Sequence, residues 1–161
     1  MRTSIKHKKI TVKRILCPLD FSKTSMKALH IADELSKQFN AELLIFHVVL
    51  PVSTIKEEAD YSFYKFDVPT YEQKLLRAAK ERLQTIIIRK VSHNKVRSVV
   101  QPGDPARIII KTAIKKRIDL IVIATHGRWG WTHMIFGSVA EKVIRLAPCP
   151  VLVVKMRNKR G

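Results

Sequence analysis

Apolar residues recur along this chain with two alternating periods. Arg14 to Leu19 is a short, mostly apolar run of the kind a strand buried on both faces shows, and it ends at Asp20. From Ser22 the period changes. Met26, Leu29, Ala32, Leu35 and Phe39 return at helical spacing, which predicts a helix with Ser22 as its cap. Leu43 to Val49 is a second strand-like run. A connection from Pro51 to about Pro69 carries the aromatic segment 61–66, and a helix follows from Tyr71 to Val91 with Leu75, Ala78, Leu83 and Ile86 on one face. Val96 to Val100 reads as a third strand. Gly103-Asp104-Pro105 then supplies a turn, a cap and the first residue of a helix reaching about Lys115. Asp119 to Ala124 and Pro150 to Val154 complete five strands, and Val139, Val143, Ile144 and Leu146 mark a fourth helix between them. Ser138-x-x-Glu141 has the form of a capping box, which predicts Ser138 as that helix's cap. Strands alternating with helices imply one α/β domain, a parallel sheet covered on both faces.

A length of 161 residues suits a single domain with a proper core. No apolar run approaches the roughly 20 residues of a membrane span, and the basic N-terminus has no apolar region behind it to serve as a secretory signal. Cys17 and Cys149 both sit in or beside strand patterns and read as small apolar residues in a reducing cell, so the expected location is cytoplasmic. The net charge of +18 is the unusual feature, and ten of the 31 basic residues lie in the first 14 and last seven positions. The chain accordingly divides into a basic tail over 1–12, a domain over 13–155 and a second basic tail over 156–161. Such a surface attracts polyanions. No recognition helix, zinc knuckle or aromatic ribonucleoprotein motif accompanies the charge, so weak, salt-sensitive nucleic-acid binding is expected and no membrane association.

The chemistry concentrates in Ile121-Val-Ile-Ala-Thr-His-Gly-Arg-Trp-Gly130 and in Phe136-Gly-Ser-Val-Ala-Glu141. A glycine turn after a strand, and a glycine-serine step at a helix N-terminus, both present bare backbone N–H groups suited to phosphate. Two tight turns and an ordinary cap account for the same residues. There is no Gly-x4-Gly-Lys-Ser/Thr loop, which argues against a dedicated ATP-cleaving enzyme. Asp20, Asp104 and Lys155 end successive strands but lack the acidic pair a phospho-acceptor domain needs. His126 and His133 share a loop without the surrounding ligands of a metal site. Trp129 and Trp131 could stack on a base or a partner, or pack against the 61–66 segment.

This stretch, continued through Lys142 to Val154, resembles the C-terminal half of a universal stress protein. That family's ATP motif is Gly, two residues, Gly, nine residues, then Gly followed by Ser or Thr. The matching positions here are Ala124, Gly127, Gly137 and Ser138, so alanine stands where the first glycine is expected. Ile15-Leu-Cys-Pro-Leu-Asp-Phe-Ser22 resembles the family's first strand and acidic turn, and Ala41 to Val48 its second strand. The resemblance spans Lys13 to Lys155 and implies a Rossmann-like sheet of order 3-2-1-4-5, related to the adenine-nucleotide α-hydrolases. It implies a crevice between the ends of the first and fourth strands. ATP is the expected ligand, with Mg²⁺ or Mn²⁺ carried on its phosphates. Asp20, Leu43 and Ile123 are expected near the base, and Ala124, Gly127, Arg128, Gly137, Ser138 and Val139 near the phosphates, with the Ala124 methyl on the crevice floor. A homodimer through 150–154 and a regulatory role in stress are also implied, with at most slow hydrolysis. The alternative is a dimeric scaffold that binds no nucleotide, or a stress protein associated with nucleic acid through its basic surface.

Overall fold

The computed structural model describes residues 11–51, 68–92, 95–125 and 137–155. Five strands, β1 (Arg14–Pro18), β2 (Glu42–Val49), β3 (Val96–Pro102), β4 (Leu120–Ala124) and β5 (Val151–Val154), form one sheet in the order β3-β2-β1-β4-β5. Every pairing is parallel. Four helices connect them: α1 (Lys23–Phe39), α2 (Val68–Lys90), α3 (Pro105–Lys115) and α4 (Ser138–Leu146).

Side chains of period two divide the core into two layers. Ile15, Cys17, Leu43, Ile45, Val122 and Ala124 project to one face, where they meet Ala28, Leu29 and Ala32 of α1 and Leu83 of α2. Leu16, Leu44, Phe46, Ile121 and Ile123 project to the other, against Ala106, Ile109 and Ala113 of α3 and Ala140 and Val143 of α4. Burial on both faces is why the strand sequences are nearly continuous apolar runs. Each fully buried large side chain contributes about 1.5–3 kcal/mol.

Local signals set the helix boundaries. Ser22 caps α1, its Oγ accepting from the Ser25 N–H at 3.1 Å. Asp104 caps α3 through the Arg107 N–H at 2.8 Å, with Pro105 opening the helix as predicted. Gly103 precedes it at φ +141°, and a Cβ there would sit 2.9 Å from Ile108 Cγ1, so this turn requires glycine. Helix α2 begins at Val68, three residues before the expected Tyr71, because Pro69 is tolerated in a first turn whose N–H groups have no intrahelical acceptor. Strand β3 runs to Pro102, two residues past the expected end, pairing Val49 of β2. Asp119 lies just before β4 and not within it. Its Oδ2 accepts from the N–H groups of Lys13 and Arg14, at 2.9 and 2.8 Å, and pins the entry of β1. On the α1 face, buried Asp33 accepts from Ser92 Oγ at 3.1 Å and pairs with Lys37 Nζ at 2.9 Å, tying α1 to the end of α2.

The tails over 1–10 and 156–161, the 52–67 connection and the 126–136 loop lie outside the described residues. With them go Gly127, Arg128, Trp129, Trp131, His126 and His133.

Candidate functional site

The order β3-β2-β1-β4-β5 reverses direction at β1 and β4. The chain leaves β1 for helix α1 on one face and leaves β4 towards α4 on the other. Between those two strands the ladder holds only the pairs Ile15↔Leu120 and Leu16↔Ile121, whereas β1 and β2 pair over five residues. Pro18, without an N–H, cannot donate to a ladder at that end. A sheet that stops pairing at its carboxyl edge, where the helices diverge to opposite faces, opens a crevice there.

One wall of the crevice is the turn after β1. Leu19 still donates its N–H to Phe46 C=O at 2.8 Å. Asp20 Oδ1 then accepts from the Ser22 N–H at 3.0 Å, an Asx turn that leads into α1. Asp20 therefore serves as a turn residue, and it stands half-buried at the carboxyl edge. Phe21 between them is held at φ 65°, a left-handed conformation that costs a non-glycine residue energy and persists only where neighbours enforce it. Two neighbours do so. His47 lies 4.2 Å from the Phe21 ring, centroid to centroid, and the Arg82 guanidinium of α2 lies 4.4 Å from the same ring's centre. His47 Nδ1 is 2.6 Å from Leu19 C=O; a carbonyl only accepts, so Nδ1 carries the proton.

The opposite wall is the start of α4. Thr125, only 1% exposed, donates its N–H to Val154 C=O at 2.9 Å and accepts the Gly137 N–H on its own carbonyl at 2.7 Å. The two ends of the glycine-bearing loop are thus joined across one short hydrogen bond. Helix α4 starts at Ser138 with Gly137 as its N-cap, and among the described residues no side chain caps it. The predicted capping box is therefore not formed. With the Gly137 N–H committed to Thr125, the chain turns one residue earlier, and Ser138 becomes the exposed first residue of the helix. The first intrahelical bond is Glu141 N–H to Gly137 C=O at 3.0 Å, so the amides of Ser138, Val139 and Ala140 precede the helix's own acceptors. The partial positive charge of the helix end falls there, and Glu141 is the acidic residue of that first turn.

Beneath that first turn lies Ile123, 5% exposed and packed in the layer that holds Val139, Ala140 and Val143. Ala124 projects the other way. Its methyl belongs to the layer under α1 with Cys17, Ala28 and Val154, and not to the crevice floor, and the residue as a whole is 9% exposed. The expectation for that methyl is corrected by the alternation of the strand.

Leu43 also departs from expectation. It is the second residue of β2, opposite Ile15 near the amino edge of the sheet, and it is fully buried. The crevice is at the other end of the strand, five residues further on, or roughly 16 Å at strand rise. Continuing the register from Pro18↔Phe46 sets His47 beside Leu19 and Val48 beside Asp20. These are the β2 residues that face the crevice edge. The sequence carried the signal for them: in a parallel pair, the residue level with the acidic turn lies on the last turn of the apolar run and not at its start.

Asp20, Ile123, Gly137, Ser138 and Val139 are thus brought to one edge, with His47 and Val48 added and Leu43 removed. Both cysteines are free. Burial pushes the Cys17 thiol up to about 12, and the half-buried Cys149 thiol is raised by burial and then by the Asp119 charge, so neither is an activated nucleophile. Among the described residues no cluster of three or more His, Cys, Asp or Glu side chains could hold a metal ion. No described helix is long and apolar enough to cross a membrane.

Against known proteins, residues 11–155 match the model of the universal stress protein family. The chain is 34% identical to the universal stress protein MJ0531 of Methanocaldococcus jannaschii, covering 91% of this chain and 84% of that one. It is 32% identical to a universal stress protein of Thermus aquaticus, covering 89% and 98%. Its fold superposes on the solved structure of MJ0577 with a TM-score of 0.79 at 28% identity, over 93% of this chain and all of that one. The same fold, at 21% and 19% identity and TM-scores of 0.58 and 0.54, is found in universal stress proteins solved with cAMP and, from Archaeoglobus fulgidus, with dAMP.

Proposed function

The chain belongs to the universal stress protein family, and on that premise we propose that it is an ATP-binding regulatory module of the cytoplasmic stress response, acting as a homodimer. The observation that carries the nucleotide reading is the uncapped start of α4 across the crevice from the Asp20 turn. An anion at that helix end would take up amides that precede the intrahelical bonds. A nucleotide's phosphates suit Gly137, Ser138 and Val139, together with Gly127 and Arg128 of the intervening loop. The adenosine suits the cleft lined by Asp20, Val48 and Ile123. Mg²⁺ or Mn²⁺ would then ride on the phosphates and their waters, neutralising charge that the protein meets with amides and not with carboxylates. The place of Ala124 in the layer under α1 supports this reading, since alanine at the first motif position is compatible with it. The solved cAMP and dAMP complexes contribute the fold alone to this reading. The specific contacts proposed rest on this chain's own residues.

The test is calorimetric titration of nucleotide-stripped protein with ATP and magnesium. Binding is expected, and Gly127→Glu should abolish it by filling the cradle with a like charge. Because Ser138 does not cap α4, Ser138→Ala should leave the apo melting temperature unchanged while weakening ATP by about fivefold, the worth of one hydrogen bond of about 1 kcal/mol. No heat and no thermal shift at saturating ATP would overturn the nucleotide reading and leave a dimeric scaffold. The dimer is proposed through β5, which is the edge strand of the sheet and leaves Leu152 39% exposed. Unpaired parallel edges of this kind invite pairing. Sedimentation of a folded monomer at tens of micromolar would refute it.

A further inference from the structure

Helices α3 and α4 lie side by side on the face away from α1, and between them runs a groove of about 600 Å³. Its floor is one helical row of α3, Ala106, Ile110 and Ile114, continued by Leu146 of α4. Ile114 and Leu146 are 61% and 60% exposed, a high value for large aliphatic side chains adjoining each other. Beside the floor runs a second row at the same spacing, Arg107, Lys111 and Lys115, and Lys142 rims the α4 side. Helix α3 carries no acidic residue. None of these four cations has an ion-pair partner among the described residues, whereas Arg77–Glu81 on α2 and Lys37–Glu34 on α1 are paired within their helices. Asp104, the one carboxylate among the described residues lining the groove, is engaged in capping α3. Like charges at four-residue steps repel, so this row costs the free helix stability that an acidic partner would restore.

We propose that this groove docks an acidic amphipathic helix of a partner protein. The floor is built of side chains from two packed helices and offers no open strand ladder, which suits a helix laid into a groove and not an added strand. Apolar anchors at three- and four-residue steps would cover Ile110, Ile114 and Leu146, and Glu or Asp on either flank would meet the two cationic rims. Helix α3 has three turns, so a partner helix of about 12 residues matches it in length. The concave apolar floor favours such a helix over a flat lipid surface, and none of the described residues lining it is aromatic, which disfavours stacked bases. The proposal is independent of the nucleotide reading, since the groove lies on the outer side of α3 and α4 and the crevice at the carboxyl edge.

The experiment uses the full chain and a fluorescent 12-residue helical peptide with leucines at anchor spacing and glutamates on both flanks. Its controls are a twin with lysine for every glutamate and one with serine for every leucine. Only the acidic, leucine-bearing peptide should bind by anisotropy, with affinity falling as salt rises. Lys111→Glu with Lys115→Glu should weaken it about tenfold, as should Ile114→Gln. Lys90→Glu with Arg89→Glu, on α2, should change little. These positions are exposed, and circular dichroism checks that each variant is folded. Equal binding of the serine twin, or equal loss in the α2 variant, would reduce the effect to bulk charge and overturn the proposal. So would groove-dependent binding to phosphatidylserine vesicles without peptide binding, or groove substitutions that change the subunit number in sedimentation. The first would assign the surface to lipid, the second to another copy of the chain.

Discussion

Ala124→Gly restores the residue the family motif expects, and its effect depends on where the methyl points. In the structure that methyl lies under α1, in the layer with Cys17, Ala28 and Val154, and the residue is 9% exposed. Removing it takes away about 0.8 kcal/mol of apolar burial. Glycine in a strand adds about 0.5–1 kcal/mol of backbone entropy to be lost on folding. The expected loss is therefore about 1.5 kcal/mol, or about 3–6 °C in melting temperature for a domain of this size. The melt must be run on nucleotide-free protein, because a ligand that binds only the folded state stabilises it by mass action. Calorimetry on the same two proteins should give ATP affinities within about threefold of each other, under 0.7 kcal/mol. If the variant instead gains about tenfold in affinity and melts no lower, the methyl occupies the crevice, and the assignment of β4 side chains alternately to the two core layers is wrong.

Two further outcomes follow from buried groups. Asp33→Ala should cost about 2–3 kcal/mol, read as a lower urea midpoint with unchanged slope, since a buried carboxylate with charge-assisted bonds is lost and Ser92 loses an acceptor; a change below about 0.5 kcal/mol would mean that α1 and α2 are not tied there. Cys17 should resist alkylation in the native protein while Cys149 reacts. Its folded pKa of about 12 stands above the ordinary 9.0, so the unfolded chain releases the thiol proton first and stability falls as pH rises through that window. The loss should approach about 1.4 kcal/mol per pH unit. Cys17→Ala should flatten that slope relative to the parent between pH 9 and 12; identical slopes would show that the thiol is not buried.

The elements, their class and most of their ends are legible in the amino-acid pattern alone. Runs such as Ile15–Leu19 and Leu120–Ala124 are apolar at every position because both faces of a parallel strand are covered. Ser22, Gly103, Asp104 and Pro105 act through their immediate neighbours, and each does what its type predicts. Local chemistry of that kind needs no knowledge of distant residues. The site needed it at three points. Leu43 and Val48 belong to one apolar run, and only the register with β1 decides which of them is level with Asp20. Ala124 and Ile123 are neighbours in sequence, and only the packing of α1 and α4 on opposite faces decides which methyl group is core to which layer. Ser138 has the sequence of a cap, but a hydrogen bond from Gly137 to Thr125 moves the helix start by one residue and leaves the cap position to glycine. Periodicity records which residues are buried. Which strand lies beside which, and which amide is already bonded, is decided by contacts between residues far apart in the chain, and those set the geometry of the crevice.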